Sequence, residues 1–312
     1  MMEKLDIIAL GEGLVELSSC ESLTYCKTLD KYYGGDTLTA AVSACREGSA
    51  VGYVSKVGTD AFTEFLLDGW QTEGLDISTV KRVPGINGIY FIANIEGDKK
   101  EVAYYRKKTA ACKLSEEDID EEYIKSASVI YASGTTQSLS LSAREAVVKA
   151  FKIAKENNIL TAFDVNYDEL MWSREEAKEA FDEIEDLTDI LFLNTKNDSL
   201  AQWEVESYDK LIKYFIDKGA VSVILKSKER KGYFVGFESA VTFTPYFSDE
   251  KIDSTGAGDA FNGAFLHEIT HGKTPLEAVK KAAVVSGLQV KKVGAIKSIP
   301  YANEVEEAMR FF

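Results

Sequence analysis

Lys251–Gly272 reads KIDSTGAGDAFNGAFLHEITHG, and this stretch decides the fold. A polar turn, Asp253-Ser254-Thr255-Gly256-Ala257-Gly258-Asp259, runs directly into a segment whose apolar residues are Ala257, Ala260, Phe261, Ala264, Phe265 and Ile269. That i, i+3/i+4 spacing predicts a helix lying on a sheet, and Gly272 closes it as glycine does at a helix C-terminus. Two glycines just ahead of a helix leave backbone N–H groups bare at its positive end, where an anion can sit. Asp259 falls in the first turn and shares a stripe with Asn262, Gly263 and Leu266, expected to lie largely away from the apolar face. On these residues alone the acid need only complement the helix dipole, worth ~0.3–1 kcal/mol, and the glycines need only make a turn. An acid beside an anion site is the other reading.

Other phosphate motifs are missing from the sequence. There is no G-x-x-x-x-G-K-[ST], and Gly11-Glu12-Gly13 after the first apolar run lacks the third glycine of a dinucleotide fingerprint. A chain of 312 residues with 45% apolar content can hold one large domain or two small ones. No run of 18 apolar residues exists to span a membrane. The N-terminal MMEKLDIIALGEG has a short apolar stretch ending in Gly-Glu-Gly, expected to be a buried first strand and not a signal peptide. Cys20, Cys26, Cys45 and Cys112 lack metal-ligand spacing, so free thiols in a reducing cytoplasm are expected. His267 and His271 are i, i+4 on one helix but have no evident third ligand, which favours packed or solvated rings over a metal site. A net charge of −15 argues against nucleic acid as a partner. It also requires local donors to draw in any anionic nucleotide.

Along the chain, Leu5–Leu10 reads as a strand, Gly34-Gly35-Asp36 opens a helix ended by Gly48, and Asp60 caps a helix that stops at Gly74. Leu14–Tyr33 and Ile86–Arg106 lack a helical period and are rich in Tyr and β-branched residues; the second reverses at Glu96-Gly97-Asp98. They predict a small sheet apart from the main body, a lid over a cleft formed by about 12–33 and 86–108. From Ser115 strands and helices alternate, with capping boxes expected at Ser142/Glu145 and Ser173/Glu176. Gly232–Phe237 and Ala240–Phe243 read as a hairpin, and Thr274-Pro275-Leu276-Glu277 starts a helix. The pattern is α/β: a Rossmann-like, mostly parallel sheet flanked by helices, one domain over 1–312 with its small β-sheet lid.

DSTGAGDAFNGAF closely resembles the C-terminal signature of the ribokinase-like (PfkB-type) carbohydrate kinases. YGGDTL at Tyr33–Leu38, GIYFI at Gly88–Ile92, YYRKKTAACKLS at Tyr104–Ser115, SGTTQSLS at Ser133–Ser140 and FDVN at Phe163–Asn166 resemble the 2-keto-3-deoxygluconate kinase branch. The resemblance implies ATP-dependent phosphorylation of a primary hydroxyl of a small sugar or sugar acid, with ATP and Mg²⁺. Asp259 would be the catalytic base, and the amides of Gly256, Ala257 and Gly258 would hold the transferring phosphate. Gly34, Gly35, Tyr90, Tyr104 and Arg106 would bind the sugar. Tyr104 and Arg106, i and i+2 on a strand, can point into one cleft, where a ring covers a sugar face and a guanidinium meets a carboxylate or hydroxyl. Asn166, Asn194, Lys226, Ser227 and Gly232 would serve the nucleotide. No residue would bind the metal directly; Asn194 and Asp253 would reach it through water, unless Asp253 simply positions the turn. Lid sheets of this kind often pair between subunits, so a dimer is expected.

Four positions depart from the family pattern. Asn197 stands where the N-x-x-E motif has its acid, with Asp198 next to it, and Thr39 stands where GG-x-x-x-N has an amide. Lys228 replaces a glycine, either as a phosphate clamp or as a solvated lysine. Asp168 replaces the Arg of N-x-R, which in the keto-deoxygluconate branch helps bind the acid. These departures leave open a catalytically silent sugar- or nucleotide-binding relative; a nucleoside kinase of the same fold is the other class.

Overall fold

Leu5–Leu10 (β1) sends alternate side chains into two different cores, Ile7 and Ala9 into one and Ile8 and Leu10 into the other. A strand covered on both faces must be apolar on both, which is why it reads as a run and not as an alternation. The structure is a computed structural model and describes residues 4–95, 99–195, 207–228, 230–248 and 250–312. After β1 the chain leaves through Leu14–Ser19 (β2) and Asp30–Gly34 (β3), then returns by Asp36–Glu47 (α1) and Val51–Val54 (β4). Lys56–Val57 (β5), Thr63–Thr72 (α2) and Lys81–Arg82 (β6) lead to a second excursion, Gly88–Ile95 (β7) and Lys99–Tyr105 (β8). Alternation follows: Glu121–Lys125 (α3), Ala127–Ser133 (β9), Gly134–Ser138 (α4), Leu141–Glu156 (α5) and Leu160–Asp164 (β10). It continues through Arg174–Asp182 (α6), Ile190–Asn194 (β11), Tyr208–Asp217 (α7) and Ser222–Ser227 (β12). The hairpin Gly232–Phe237 (β13) and Ala240–Pro245 (β14) precedes Ala257–Thr270 (α8), Pro275–Gln289 (α9) and Ala302–Met309 (α10).

Among the described residues the larger sheet has eight strands, ordered β14-β13-β12-β11-β10-β9-β1-β4. It is parallel from β12 to β4 and antiparallel at β13 and β14. The smaller sheet is β3-β2-β7-β8, with β2 and β7 parallel, and uses the two stretches expected to stand apart. The reversal expected at Glu96-Gly97-Asp98 lies outside the described residues.

Local signals match the structure at Gly48, which takes φ 110° after α1, and at the boxes Ser173/Glu176 and Thr274/Glu277. Two caps differ. Ser140 and not Ser142 caps α5, its Oγ accepting the Ala143 N–H at 3.1 Å, and Glu145 completes no box. Asp60 does not start α2; its carboxylate accepts the N–H groups of Phe62 and Asn87 at 2.9 and 2.7 Å and ties that turn to the start of β7. A third difference concerns α8. The Asn262–Gly263–Leu266 stripe does not face away from the core, because α8 lies between α1 and α9 as well as on the sheet. Asn262 is fully buried, and a Cβ on Gly263 would stand 2.0 Å from the Ala40 carbonyl oxygen, so only glycine lets α1 approach this closely. His267 is buried with Nδ1 2.9 Å from Ser49 Oγ, a packed ring.

Candidate active site at the start of the central helix

Parallel strands all end on one edge of the sheet, and ligands of open α/β sheets bind outside that edge. Glu12 after β1, Ser133 of β9, Asp164 of β10, Asn194 of β11 and Lys226 of β12 gather there. The turn before α8 meets them with two hollows on its flanks. One, of about 520 Å³, is lined by Lys226, Lys228, Lys231 and Lys251, by Asn194, Ala257 and Gly258, and by Tyr233, Tyr246, Ala283 and Val290. The other, of about 360 Å³, lies under the small sheet. It is lined by Tyr90, Lys100, Tyr104 and Arg106 on one side and by Gly35, Asp36, Thr39, Thr135, Asn166, Asp168, Thr255, Gly256 and Asp259 on the other. Ser254 borders both.

The turn itself is held firmly. Asp253 is buried; Oδ1 accepts the Thr255 N–H at 2.9 Å and the Thr255 hydroxyl at 2.6 Å, and Oδ2 accepts the Gly294 N–H at 3.0 Å. Gly256 takes φ 72°. The Ala257 N–H is satisfied within the turn by the Ser254 carbonyl at 3.3 Å, whereas those of Gly256 and Gly258 have no acceptor among the described residues. The Asp259 carboxylate likewise has no hydrogen-bond partner among them and faces the smaller hollow. Burial, with Asp36 and Asp164 close by, pushes Asp259 up to about 8, against the pull of Lys226 and Lys100.

Behind Asp259 lies a polar network that the sequence did not announce. Asp164 Oδ2 accepts from Lys226 Nζ at 2.9 Å and from Asn262 Nδ2 at 2.6 Å, and Asn262 also reaches the Tyr131 hydroxyl at 3.0 Å. Lys226 is therefore charge-paired while its ammonium stays beside Gly258. Across the hollow, Arg106 donates from Nε to Glu12 Oε2 at 2.9 Å and holds a terminal nitrogen at the same distance from that oxygen as an ion pair, while Thr109 donates to Oε1 at 2.9 Å. Desolvation raises the Glu12 pKa despite this pairing. Arg106 faces the hollow as expected, but with its charge matched. The Tyr90 hydroxyl donates to the buried Glu16 carboxylate. Gly34 makes room for that ring, since a Cβ there would meet the Tyr90 oxygen at 2.5 Å, and a Cβ on Gly35 would stand 2.3 Å from the Glu12 carbonyl oxygen.

The nucleotide-side residues divide. Asn194 and Lys226 line the larger hollow. Ser227 is buried and caps its loop, accepting the Arg230 N–H at 3.2 Å, and Gly232 pairs with Pro245 under the Phe243 ring. Neither borders the hollow. Asn166 lies in the smaller one, where its amide donates to Asp36 Oδ2 at 3.1 Å, and it takes φ 38°. Asp36, also hydrogen-bonded by Ser133, joins the site although the sequence marked it only as a helix opener. Thr39 packs its methyl 3.1 Å from where a Gly256 Cβ would be. Lys228 stands at the larger hollow, as a clamp would; Asn197 and Asp198 lie outside the described residues.

Known proteins resemble the chain over nearly its whole length. The 5-dehydro-2-deoxygluconokinase of Clostridium perfringens is 26% identical, in an alignment that covers 98% of this chain and 93% of the relative. An E. coli protein described as a ribokinase II, crystallised with ATP and Mg²⁺, superposes with a TM-score of 0.90 at 24% identity, covering 99% of this chain and 100% of that one. The 2-dehydro-3-deoxygluconokinase of Thermotoga maritima gives a TM-score of 0.90 at 20% identity and covers 99% of each chain. The model of the pfkB family carbohydrate kinases matches residues 4–302, and the chain belongs to that family of sugar kinases.

Proposed function

We propose that the chain transfers the γ-phosphoryl group of ATP to a primary hydroxyl of a small sugar, with Asp259 as base. One observation carries this reading: a carboxylate without a hydrogen-bond partner among the described residues faces a hollow beside two amides that lack acceptors among them, at the positive end of α8. The hydroxyl oxygen attacks phosphorus, the P–O bond to ADP breaks, and the proton passes late to Asp259. Even a raised Asp is far too weak a base to form an alkoxide beforehand, and a loose, metaphosphate-like transition state does not need one. The Gly256 and Gly258 amides take up charge on the phosphoryl oxygens. Asp36 and Asn166 orient sugar hydroxyls, and Tyr104 covers a sugar face. Four lysines around the larger hollow supply the local field that brings a nucleotide to a chain of net charge −15.

Among the described residues no cluster of three or more His, Cys, Asp or Glu could hold a metal, and both Asp253 oxygens already accept hydrogen bonds. Mg²⁺ keeps several waters and needs few protein ligands; Asn194 would reach it through water. When bound it would neutralise phosphate charge. The four cysteines are free thiols, consistent with a reducing cytoplasm. Phe91 and the exposed Tyr105, ring centroids 5.5 Å apart on the small sheet, offer a face for a second subunit. The test is ADP release by purified protein with Mg-ATP across a library of ketoses, aminated sugars and 2-keto-3-deoxy sugar acids. No ADP with any sugar would overturn the kinase reading and leave the silent relative.

Asp168 bears on which sugar. It lines the smaller hollow near enough to Tyr104 to help raise that phenol's pKa, after burial. A substrate carboxylate ~4 Å from it would meet ~4 kcal/mol of repulsion at an effective dielectric of ~20, and Glu12 already balances Arg106. A neutral ketose or an amine-bearing sugar therefore fits better than a sugar acid. Asp168→Arg is expected to raise kcat/KM for 2-keto-3-deoxy acids relative to ketoses by about 10–10³-fold. Wild-type turnover of the acid alone would refute this preference.

A further inference from the structure

Lys226, Arg106 and Lys100 stand around the turn before α8, each near a buried carboxylate. Lys226 pairs with Asp164 at 2.9 Å and Arg106 with Glu12 at 2.9 Å. Lys100 differs in where it comes from and what it touches. Its ammonium hydrogen-bonds Thr255 Oγ1 at 2.6 Å and stands 4.0 Å from Asp253 Oδ1. It thus reaches from the small sheet onto the turn, one residue ahead of the Gly256 amide. Residues 100, 104 and 106 are separated by even steps on and just past β8, so they share the face turned to the hollow.

We propose that Lys100 is a further catalytic residue, whose ammonium contacts the phosphoryl group as it passes from nucleotide to sugar. This rests on the phosphotransfer reading above. In that step the bond from phosphorus to the ADP oxygen breaks, the bond to the sugar oxygen forms, and the hydroxyl proton goes to Asp259. The phosphoryl oxygens pass between the Gly256 and Gly258 amides and the hydroxyl held at Asp259, and Lys100 borders the same hollow as Gly256 and Asp259. An ammonium carries three donors on a rotatable stem, so it reaches a phosphoryl oxygen from the Thr255 hydroxyl by a small turn. A cation placed where charge is in transit contributes more than one on the resting nucleotide. The groups facing Asp259 agree with the placement: Asp36 from α1 and Asp164 from β10 raise its pKa, while Lys226 from β12 and Lys100 from β8 lower it. Delivery from the small sheet also links charge stabilisation to sugar binding, since Tyr104 and Arg106 ride on the same segment.

Titration calorimetry with MgADP, and with MgADP plus beryllium fluoride as a phosphoryl mimic, tests this without a known sugar. Wild type is expected to bind the fluoride complex at least about tenfold more tightly than MgADP alone. Lys100→Met should bind MgADP within about twofold of wild type while its fluoride gain falls below about threefold, and Lys100→Arg should keep most of the gain. MgADP binding with a fluoride gain that is absent in wild type, or equal in wild type and Lys100→Met, overturns the role of Lys100 alone. Failure of wild type to bind MgADP overturns the nucleotide reading and the inference with it.

Discussion

Asp259→Asn is expected to lower kcat by about 10²–10⁴-fold while MgATP affinity changes less than about twofold, and to stabilise the ligand-free protein at neutral and alkaline pH. The loss of rate follows from the role of the carboxylate: an amide can orient the sugar hydroxyl but cannot take its proton. The gain in stability follows from the environment that makes it a useful base. Asp259 is half-buried and hemmed by Asp36 and Asp164, so its folded-state pKa, pushed up to about 8, lies far above the value in an unfolded chain. A group raised in this way favours the fold fully below its unfolded pKa and loses that contribution as pH rises through the folded one. Asn removes the titration. The variant should therefore match wild type near pH ~4, gain on it up to pH ~8 and hold the difference above. Because the side chain is partly exposed, the gain is put at about 2–6 °C in Tm. Steady-state kinetics with paired melts at pH 5 and 8.5 would check both halves. The wild-type kcat/KM should also rise with pH toward about 8, as the free enzyme's base ionises. Near-wild-type turnover removes Asp259 from its role; a Tm difference that does not grow with pH removes the strained carboxylate.

What was legible in the chain was local. Periodicity marked the strands and helices, glycine and capping boxes marked several ends, and the small sheet showed as two stretches without a helical period. Asp259, the turn glycines, Tyr90, Tyr104 and Arg106 could be named because they sit in short runs that resemble a family signature; their residue types alone left the role of Asp259 open. The partners of those residues were hidden, because they come from far along the sequence. Glu12 meets Arg106 across 94 positions, Lys226 meets Asp164 across 62, and Lys100 meets Thr255 across 155. Glu12 was read only as the middle of a failed dinucleotide fingerprint. Its two flanking glycines have a packing reason instead, since a Cβ on Gly11 would stand 2.0 Å from Thr37 Oγ1 and one on Gly13 2.1 Å from the Trp70 ring. The resemblance put Asn166 with the nucleotide, and its left-handed backbone turns the amide toward Asp36 in the smaller hollow. The helix stripe through Asn262 was misjudged because a helix wheel cannot say how many neighbours a central helix has. An acid between two glycines at the end of a first parallel strand is the signal that was present and unused.

Glu12→Gln is expected to lower Tm by about 5–8 °C, corresponding to ~3–5 kcal/mol, and to raise KM for the sugar more than it lowers kcat. Glu12 and Arg106 are both buried and ion-paired, and Glu12 accepts the guanidinium Nε–H and the Thr109 hydroxyl. Glutamine keeps the shape and one acceptor, but it turns an amide NH₂ toward the guanidinium and leaves a buried positive charge without its counter-ion. That residual charge, more than the missing attraction, sets the cost. Removing both charges should then be far milder than removing one. Glu12→Gln combined with Arg106→Met is predicted to regain at least half of the lost Tm while sugar KM stays high, because Arg106 no longer lines the hollow. Melts of the two single variants and the double variant form a thermodynamic cycle. A double variant as unstable as the sum of the singles would mean that the two side chains stabilise independently, and that Arg106 is not held over the sugar by a matched buried charge.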